Sequence, residues 1–396
     1  MPTCQNHCAE VLGLGSLQLA RRGAIVRRLV AAETLGAVTV VCTDKTGTLT
    51  ENRMALAAAI PAGMLGAVGA DPGIDPRMLR VTALATEGTE LDPIDRAIRA
   101  AAGEAGASRP DTRSFPFDRS VRLASGYART GHGIEAGVKG APEAVLDRAT
   151  AWRDGEALRP LDEPTRLALL ADAAGQGQTG RVLAVASRAL DRVPVSRDEL
   201  ERDLVFEGLL VLRDPVRSEV PNAVRALLQA GVRITVITGD QASTAVAVAR
   251  EAGIPGVDVL SGAEIAALDD PTLARRTAAG MVVSRAQPAD KLRIVQALGA
   301  AGEVVMVTGD GVNDAPALRA ATVGVAMGRV GSDAARQAAQ IVLTDDSFAT
   351  LVAAVREGRR LYDNFRKVIR YYLAVKVALV LAAILNGPGL RCGAWC

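Results

Sequence analysis

Three valine-rich runs that each end in an aspartate constrain this chain more than any other feature. Val38–Cys42 leads into Thr43-Asp44-Lys45-Thr46-Gly47-Thr48-Leu49-Thr50, and Val232–Ile237 leads into Thr238-Gly239-Asp240. Val304–Val307 leads into Thr308-Gly309-Asp310-Gly311-Val312-Asn313-Asp314. Short apolar runs rich in β-branched residues and lacking polar alternation predict strands buried on both faces, which is the habit of parallel sheets. Alanine-rich helical stretches separate them, among them one from Ser218 with Gly231 just past its end. The fold class is therefore α/β with a parallel sheet. In such sheets ligands collect at the carboxyl ends of the strands, so carboxylates far apart in sequence can converge there.

Converging carboxylates repel one another, and a divalent cation relieves that repulsion. Mg²⁺ favours carboxylates together with phosphate oxygens. Gly47, Gly239, Gly309 and Gly311 let backbone amides come close to a phosphate. Asp44 can then attack phosphorus and become an aspartyl phosphate, a form of covalent catalysis. A single aspartate after a strand reads as a cap or turn residue. Only the set together carries the chemical argument.

Composition removes other classes. The net charge is +2, from 46 Lys and Arg against 44 Asp and Glu, and aromatics are 3%. The balance gives no global argument for nucleic acid and aromatic stacking platforms are scarce, so nucleic acid is not an expected partner. The five cysteines (Cys4, Cys8, Cys42, Cys392 and Cys396) are odd in number and weighted to the ends, which fits a reducing compartment better than a disulfide framework. Cys4, His7 and Cys8 have loose metal-ligand character, but no second pair completes a zinc site.

The middle of the chain, residues 55–205, has Pro- and Gly-rich breaks and loosely alternating segments, and is expected as a second domain inserted into the first. Near the other end Arg356, Arg359, Arg360, Arg366, Lys367 and Arg370 precede an apolar run from Tyr371 to Leu385. A basic collar against an apolar helix is the cytoplasmic-side pattern of a membrane-entering segment. These fifteen residues reach only roughly 22 Å at about 1.5 Å each, short of the roughly 30 Å hydrocarbon core. Neither end is expected to span a bilayer alone.

DKTGTLT at Asp44–Thr50 and TGDGVNDAPAL at Thr308–Leu318 together resemble the P-type ATPases, the family of ATP-driven ion pumps. The resemblance runs from about Val11 to Leu385. It implies a haloacid-dehalogenase-like, Rossmann-like phosphorylation domain with an inserted α+β nucleotide-binding domain. Partial membrane or stalk helices are implied at both ends. The implied boundaries are 1–36 for a partial fourth membrane or stalk helix, 37–54 with 206–345 for the phosphorylation domain, and 55–205 for the nucleotide domain. Residues 346–396 would be a stalk and partial fifth membrane helix with an unrelated tail from Asn386.

By the same resemblance Asp44 is the phosphorylated aspartate. Thr46 stands where soluble relatives carry a second, acid–base aspartate, so the phosphoenzyme would persist. Lys45 and Thr46 would contact phosphate. Asp44, the Thr46 carbonyl, Asp310 and Asp314 would hold Mg²⁺, with Asn313 in support. Thr238, Gly239 and Asp240 belong to the motif that holds the transferring phosphoryl, and Lys291 would neutralise its charge. In the insert, Lys139 of KGAPE, Phe117 of FPFD, Arg122 and Arg181 would bind ATP. Asp214 and Arg217 of Asp214-Pro215-Val216-Arg217 would complete the nucleotide set.

No Thr-Gly-Glu occurs in the sequence, and only 43 residues precede Asp44, so the family's actuator domain is not expected on this chain. The expectation is a catalytic portion, at the cytoplasmic side of a cell membrane, whose actuator and remaining membrane helices are lost or lie on a separate chain. The absence of Cys-Pro-Cys and the run Asp345–Phe348 through Glu357–Asn364 point to the calcium/magnesium and proton branches rather than the heavy-metal branch. The transported cation is left open. Two other readings stand beside this one: a soluble phosphatase of haloacid-dehalogenase type, and a catalytically idle nucleotide-binding remnant.

Overall fold

A computed structural model describes residues 13, 15–66, 75–86, 92–103, 113–131, 133–256 and 258–385. Cys4, His7, Cys8, Cys392, Cys396 and the tail from Asn386 lie outside the described residues. The chain divides into two compact units, Met1–Leu49 with Arg217–Cys396, and Thr50–Val216.

The first unit is built on an eight-stranded sheet in the order Ala24–Val26, Ile341–Leu343, Val323–Met327, Val305–Gly309, Val40–Thr43, Arg233–Ile237, Val282–Ser284, Val259–Ser261. Every pairing is parallel except the first, where Ala24–Val26 runs antiparallel along the edge. The three aspartate-ending runs are neighbours, with Val40–Thr43 in the centre. Thr43 stands opposite Val236 on one side and Thr308 on the other. Val40–Thr43 and Val305–Gly309 are buried at every position, as unbroken apolar runs require. Helices Asp270–Ala278 and Pro288–Ala300 supply Leu273, Ile294 and Leu298 to the core over Val40, Val283 and Val305. Helix Pro288–Ala300 starts cleanly because Pro288 occupies its first turn and the Asp290 carboxylate accepts from the Gln287 amide at 2.8 Å. That start puts Lys291 in the first helical turn.

The second unit is a mostly antiparallel sheet, Arg113–Asp118, Leu123–Thr130, Gly133–Gly140, Arg181–Leu190, Leu204–Arg213, Ala149–Asp154 and Ala157–Pro160, with Ala55–Pro61 also paired to Leu204–Arg213. Its two faces are covered separately. Ala184 and Ala186 pack with Leu146, Leu169 and Phe206. Val185, between them, points the other way and packs with Met78, Val81 and Ile98.

Two expectations about boundaries are corrected. Residues 50–54 and 206–216 belong to the inserted unit rather than to the phosphorylation unit; Leu204–Arg213 is a central strand of the insert's sheet, paired along its length to Arg181–Leu190 and Ala55–Pro61. The described residues of 1–36 are not one helix: a helix ends at Arg21, Gly23 turns the chain at φ +90, Ala24–Val26 joins the sheet edge beside Ile341–Leu343, and a short helix follows at Leu29–Thr34.

Helix Phe348–Leu385, 38 residues long, leaves the first unit after a docked base. Phe348, Leu351, Val355 and Leu361 are buried, and Gly36 meets Gly358 at backbone distance. The Arg359 guanidinium donates to the Ala230 carbonyl at 2.7 Å. The run from Tyr371 to Ile384 is exposed. No helix among the described residues is long and apolar enough to cross a membrane. The charges up to Arg370 and at Lys376 interrupt the apolar stretch.

Candidate active site

Asp44 leaves the central strand at its carboxyl end and heads a tight turn over Lys45–Leu49. The turn is not a regular helix: Thr46 is extended (φ −75, ψ 133) and Gly47 is left-handed (φ 74, ψ −15). A Cβ on Gly47 would collide with Oδ2 of Asp310, so glycine is required here both for conformation and for the approach of Asp310. Beneath the turn, Thr308 Oγ1 donates to Thr43 Oγ1 at 2.8 Å, tying the two central strands together at their ends.

Three carboxylates meet above these strands. Asp44, Asp310 and Asp314 each offer an oxygen, and the three oxygens lie within 4.8 Å of one another. Lys291 stands among them, 2.5 Å from Asp44 Oδ2 and 2.8 Å from Asp314 Oδ1. The remaining oxygens are held by backbone. Lys45 N–H donates to Asp44 Oδ1 at 2.6 Å, and the amides of Asp310 and Gly311 donate to Asp314 Oδ2 at 3.2 and 3.0 Å. Lys45 itself pairs with Asp240 at 2.5 Å. Thr238 is buried at the end of its strand and accepts from the Asp240 amide through its hydroxyl at 3.2 Å. Gly239 and Asn313 are exposed.

One ammonium does not neutralise three acids. Burial raises the Asp44 carboxyl above its ordinary range, opposed by Lys291 and reinforced by Asp314. Asp310 is pushed up to about 6, by burial first and then by the charges of Asp44 and Asp314. Burial works to lower the Lys291 ammonium, but Asp44 and Asp314 outweigh it and hold it above its usual value. A site with surplus negative charge, converging oxygens and a glycine floor fits a divalent cation of the Mg²⁺ type.

The expected nucleotide residues fall in different settings. Lys139 is buried, donates to Thr86 Oγ1 at 2.7 Å and pairs with Asp95; burial lowers its ammonium against the pull of Asp95. Phe117 is 53% exposed on strand Arg113–Asp118, and Arg181 is exposed at the start of its strand. Arg122, left-handed at φ 59, faces Glu143 at 3.5 Å across solvent. Asp214 accepts from Thr50 Oγ1 at 2.6 Å and from the Arg53 amide at 3.2 Å. Arg217, grouped with these residues by motif, belongs to the first unit, where its guanidinium donates to the Gly47 carbonyl at 3.0 Å.

A family model described as haloacid dehalogenase-like hydrolase matches residues 38–322, the stretch that carries every one of these groups. The chain belongs to the haloacid dehalogenase-like hydrolase family. It is also 38% identical to the probable cation-transporting ATPase F of Mycobacterium bovis, over 96% of this chain and 47% of that protein. It is 35% identical to the cation-transporting ATPase pma1 of Synechocystis, over 92% and 45% of the respective chains. For the calcium-transporting ATPase 1 of Bacillus cereus the identity is 34%, over 95% and 45%. The chain thus spans about half the length of these relatives.

In both units of this haloacid dehalogenase-like chain, several supports are not legible from sequence. The Thr43–Thr308 hydroxyl pair is legible only once the two strands are known to be neighbours. Thr86 and Asp95, the partners of Lys139, sit in a segment whose motif content is weak. A buried lysine needs an acceptor, but the burial of Lys139 is known only from the structure.

Proposed function

We propose that the chain is the catalytic portion of a cation-transporting P-type ATPase, which binds ATP and Mg²⁺ and transfers the γ-phosphate to Asp44. The observation that carries this reading is the meeting of Asp44, Asp310, Asp314 and Lys291 at the ends of adjacent parallel strands, with a threonine rather than an acid two residues after Asp44. The similarity to cation-transporting ATPases over more than nine-tenths of the chain supports the choice among haloacid dehalogenase-like activities.

In this reading a carboxylate oxygen of Asp44 attacks the γ-phosphorus. The bond from that phosphorus to the β,γ-bridging oxygen breaks and ADP leaves with the electron pair, so no proton need be moved. Asp44, Asp310, Asp314 and the Thr46 carbonyl would hold Mg²⁺, whose chemistry there is to offset phosphoryl charge. Lys291 favours the ionised form of Asp44 against the effect of burial and would face the incoming phosphoryl. Lys45, Thr238, Gly239 and Asp240 border the phosphoryl position and Asn313 supports the acidic loop. Thr46 has no acid–base function, so water attack on the aspartyl phosphate is slow. Phe117, Arg122, Lys139, Arg181 and Asp214 form the nucleotide-binding set of the insert. The transported cation is left open, a separate chain carrying the actuator and further membrane helices is the proposed partner, and the catalytic units lie at the cytoplasmic side of a cell membrane.

The test is labelling with γ-phosphate-labelled ATP and Mg²⁺, an acid quench and a hydroxylamine chase, alongside Asp44→Asn. A hydroxylamine-sensitive label that the variant lacks is the expected result. Absence of label in folded, ATP-binding protein supports an idle remnant instead, and fast turnover of small phosphate esters supports a phosphatase.

A further inference from the structure

We propose that Arg217 is a positioning residue for the Asp44 loop rather than a contact for the nucleotide. The inference rests on the phosphoryl-transfer reading for its kinetic consequences, but its structural content stands without it.

Arg217 grips the loop at two points. Its Nη2 donates to the Gly47 carbonyl at 3.0 Å, and its own backbone amide donates to the Leu49 carbonyl at 3.0 Å. The loop needs such help, since Thr46 and Gly47 leave helical geometry and the Gly47 carbonyl has no helical ladder to join. A guanidinium is a charged donor, and charged donors hold a carbonyl more firmly than neutral ones. The Gly47 peptide cannot swing without either breaking that bond or moving against the Asp310 carboxylate, which Gly47 touches closely enough to exclude a Cβ.

Chain connectivity gives Arg217 this role. Arg217 is the first residue of the return into the first unit, and its amide bond to Leu49, the last residue before the insert, sets it beside the end of the Asp44 loop. A residue that fixes the loop acts on any phosphoryl donor. One that grips ATP acts only on nucleotides. That difference is measurable.

The full chain is compared with Arg217→Met and Arg217→Lys, the second keeping the charge as a guard against a variant that does not fold. Three quantities are read: acyl-phosphate formation from ATP, the same from acetyl phosphate, and ATP affinity by calorimetry. Loss of the grip slows both donors in Arg217→Met by a similar factor, on the order of 10²-fold for a misplaced nucleophile. ATP affinity changes less than about twofold on the same argument, and Arg217→Lys is intermediate. Amide hydrogen exchange in residues 45–49 is faster in Arg217→Met with no ligand present. A drop in ATP affinity with an unchanged acetyl phosphate reaction overturns the proposal, as does unchanged exchange at 45–49. Should the unaltered chain take label from neither donor, the catalytic reading fails, while the exchange result still decides the role of Arg217.

Discussion

The Lys291 ammonium lies 2.5 Å from Oδ2 of Asp44, across 247 residues of sequence. Because the same nitrogen is also 2.8 Å from Asp314, it offsets the repulsion between these two members of the acidic cluster. In the proposed reaction Lys291→Met would remove a charge from where phosphoryl charge would develop. Phosphorylation should slow by about 10²- to 10³-fold, the usual cost of losing one preorganised donor. Rapid-quench single turnovers measure this, and a loss below about fivefold on that scale denies Lys291 its role.

Metal affinity should follow the proton on Asp310. Its carboxyl is pushed up to about 6, so the charged form the metal requires is scarce below that pH. Mg²⁺ affinity measured calorimetrically should rise with pH through this value and level off above it. In metal-free protein the sign for stability is opposite. The folded chain holds this proton more tightly than the unfolded chain, so the contribution of Asp310 to stability is lost as pH climbs from its ordinary range through about 6. Thermal melts with and without Mg²⁺ should therefore diverge most at neutral pH.

Gly47→Ala should be costly for two reasons at one site. A left-handed φ costs an L-residue about 1–2 kcal/mol, and the new methyl meets the Asp310 carboxylate. The expected outcome is a loss of at least about 1 kcal/mol in urea unfolding together with weaker Mg²⁺ binding. An alanine variant that binds Mg²⁺ normally would show that Asp310 is not held by this contact.

In the inserted unit, Asp95→Ala leaves the Lys139 ammonium buried without its carboxylate. Breaking a buried pair from one side costs about 3–5 kcal/mol, and the lower end applies here because Asp95 is 24% exposed. Lys139→Met with Asp95→Ala should recover much of that stability, since no charge is then stranded. If the double variant is no more stable than the single, the pair is not the reason for the loss. Chemical denaturation of the full chain, followed at its second unit, distinguishes these outcomes.

Local chemistry made much of this protein legible in its sequence. The unalternating Val38–Cys42 and Val304–Val307 runs announced strands covered on both faces, and the aspartates following them announced the acidic cluster at the strand ends. Tertiary pairing decided the rest. Whether 206–216 belonged to one unit or the other depended on Leu204–Arg213 finding Arg181–Leu190 and Ala55–Pro61. Ala24–Val26 became a strand because Ile341–Leu343 offered it an edge. The destination of the Arg217 guanidinium was invisible for the same reason: a motif fixes which residue is present, while a hydrogen bond to Gly47 depends on where the folded chain returns.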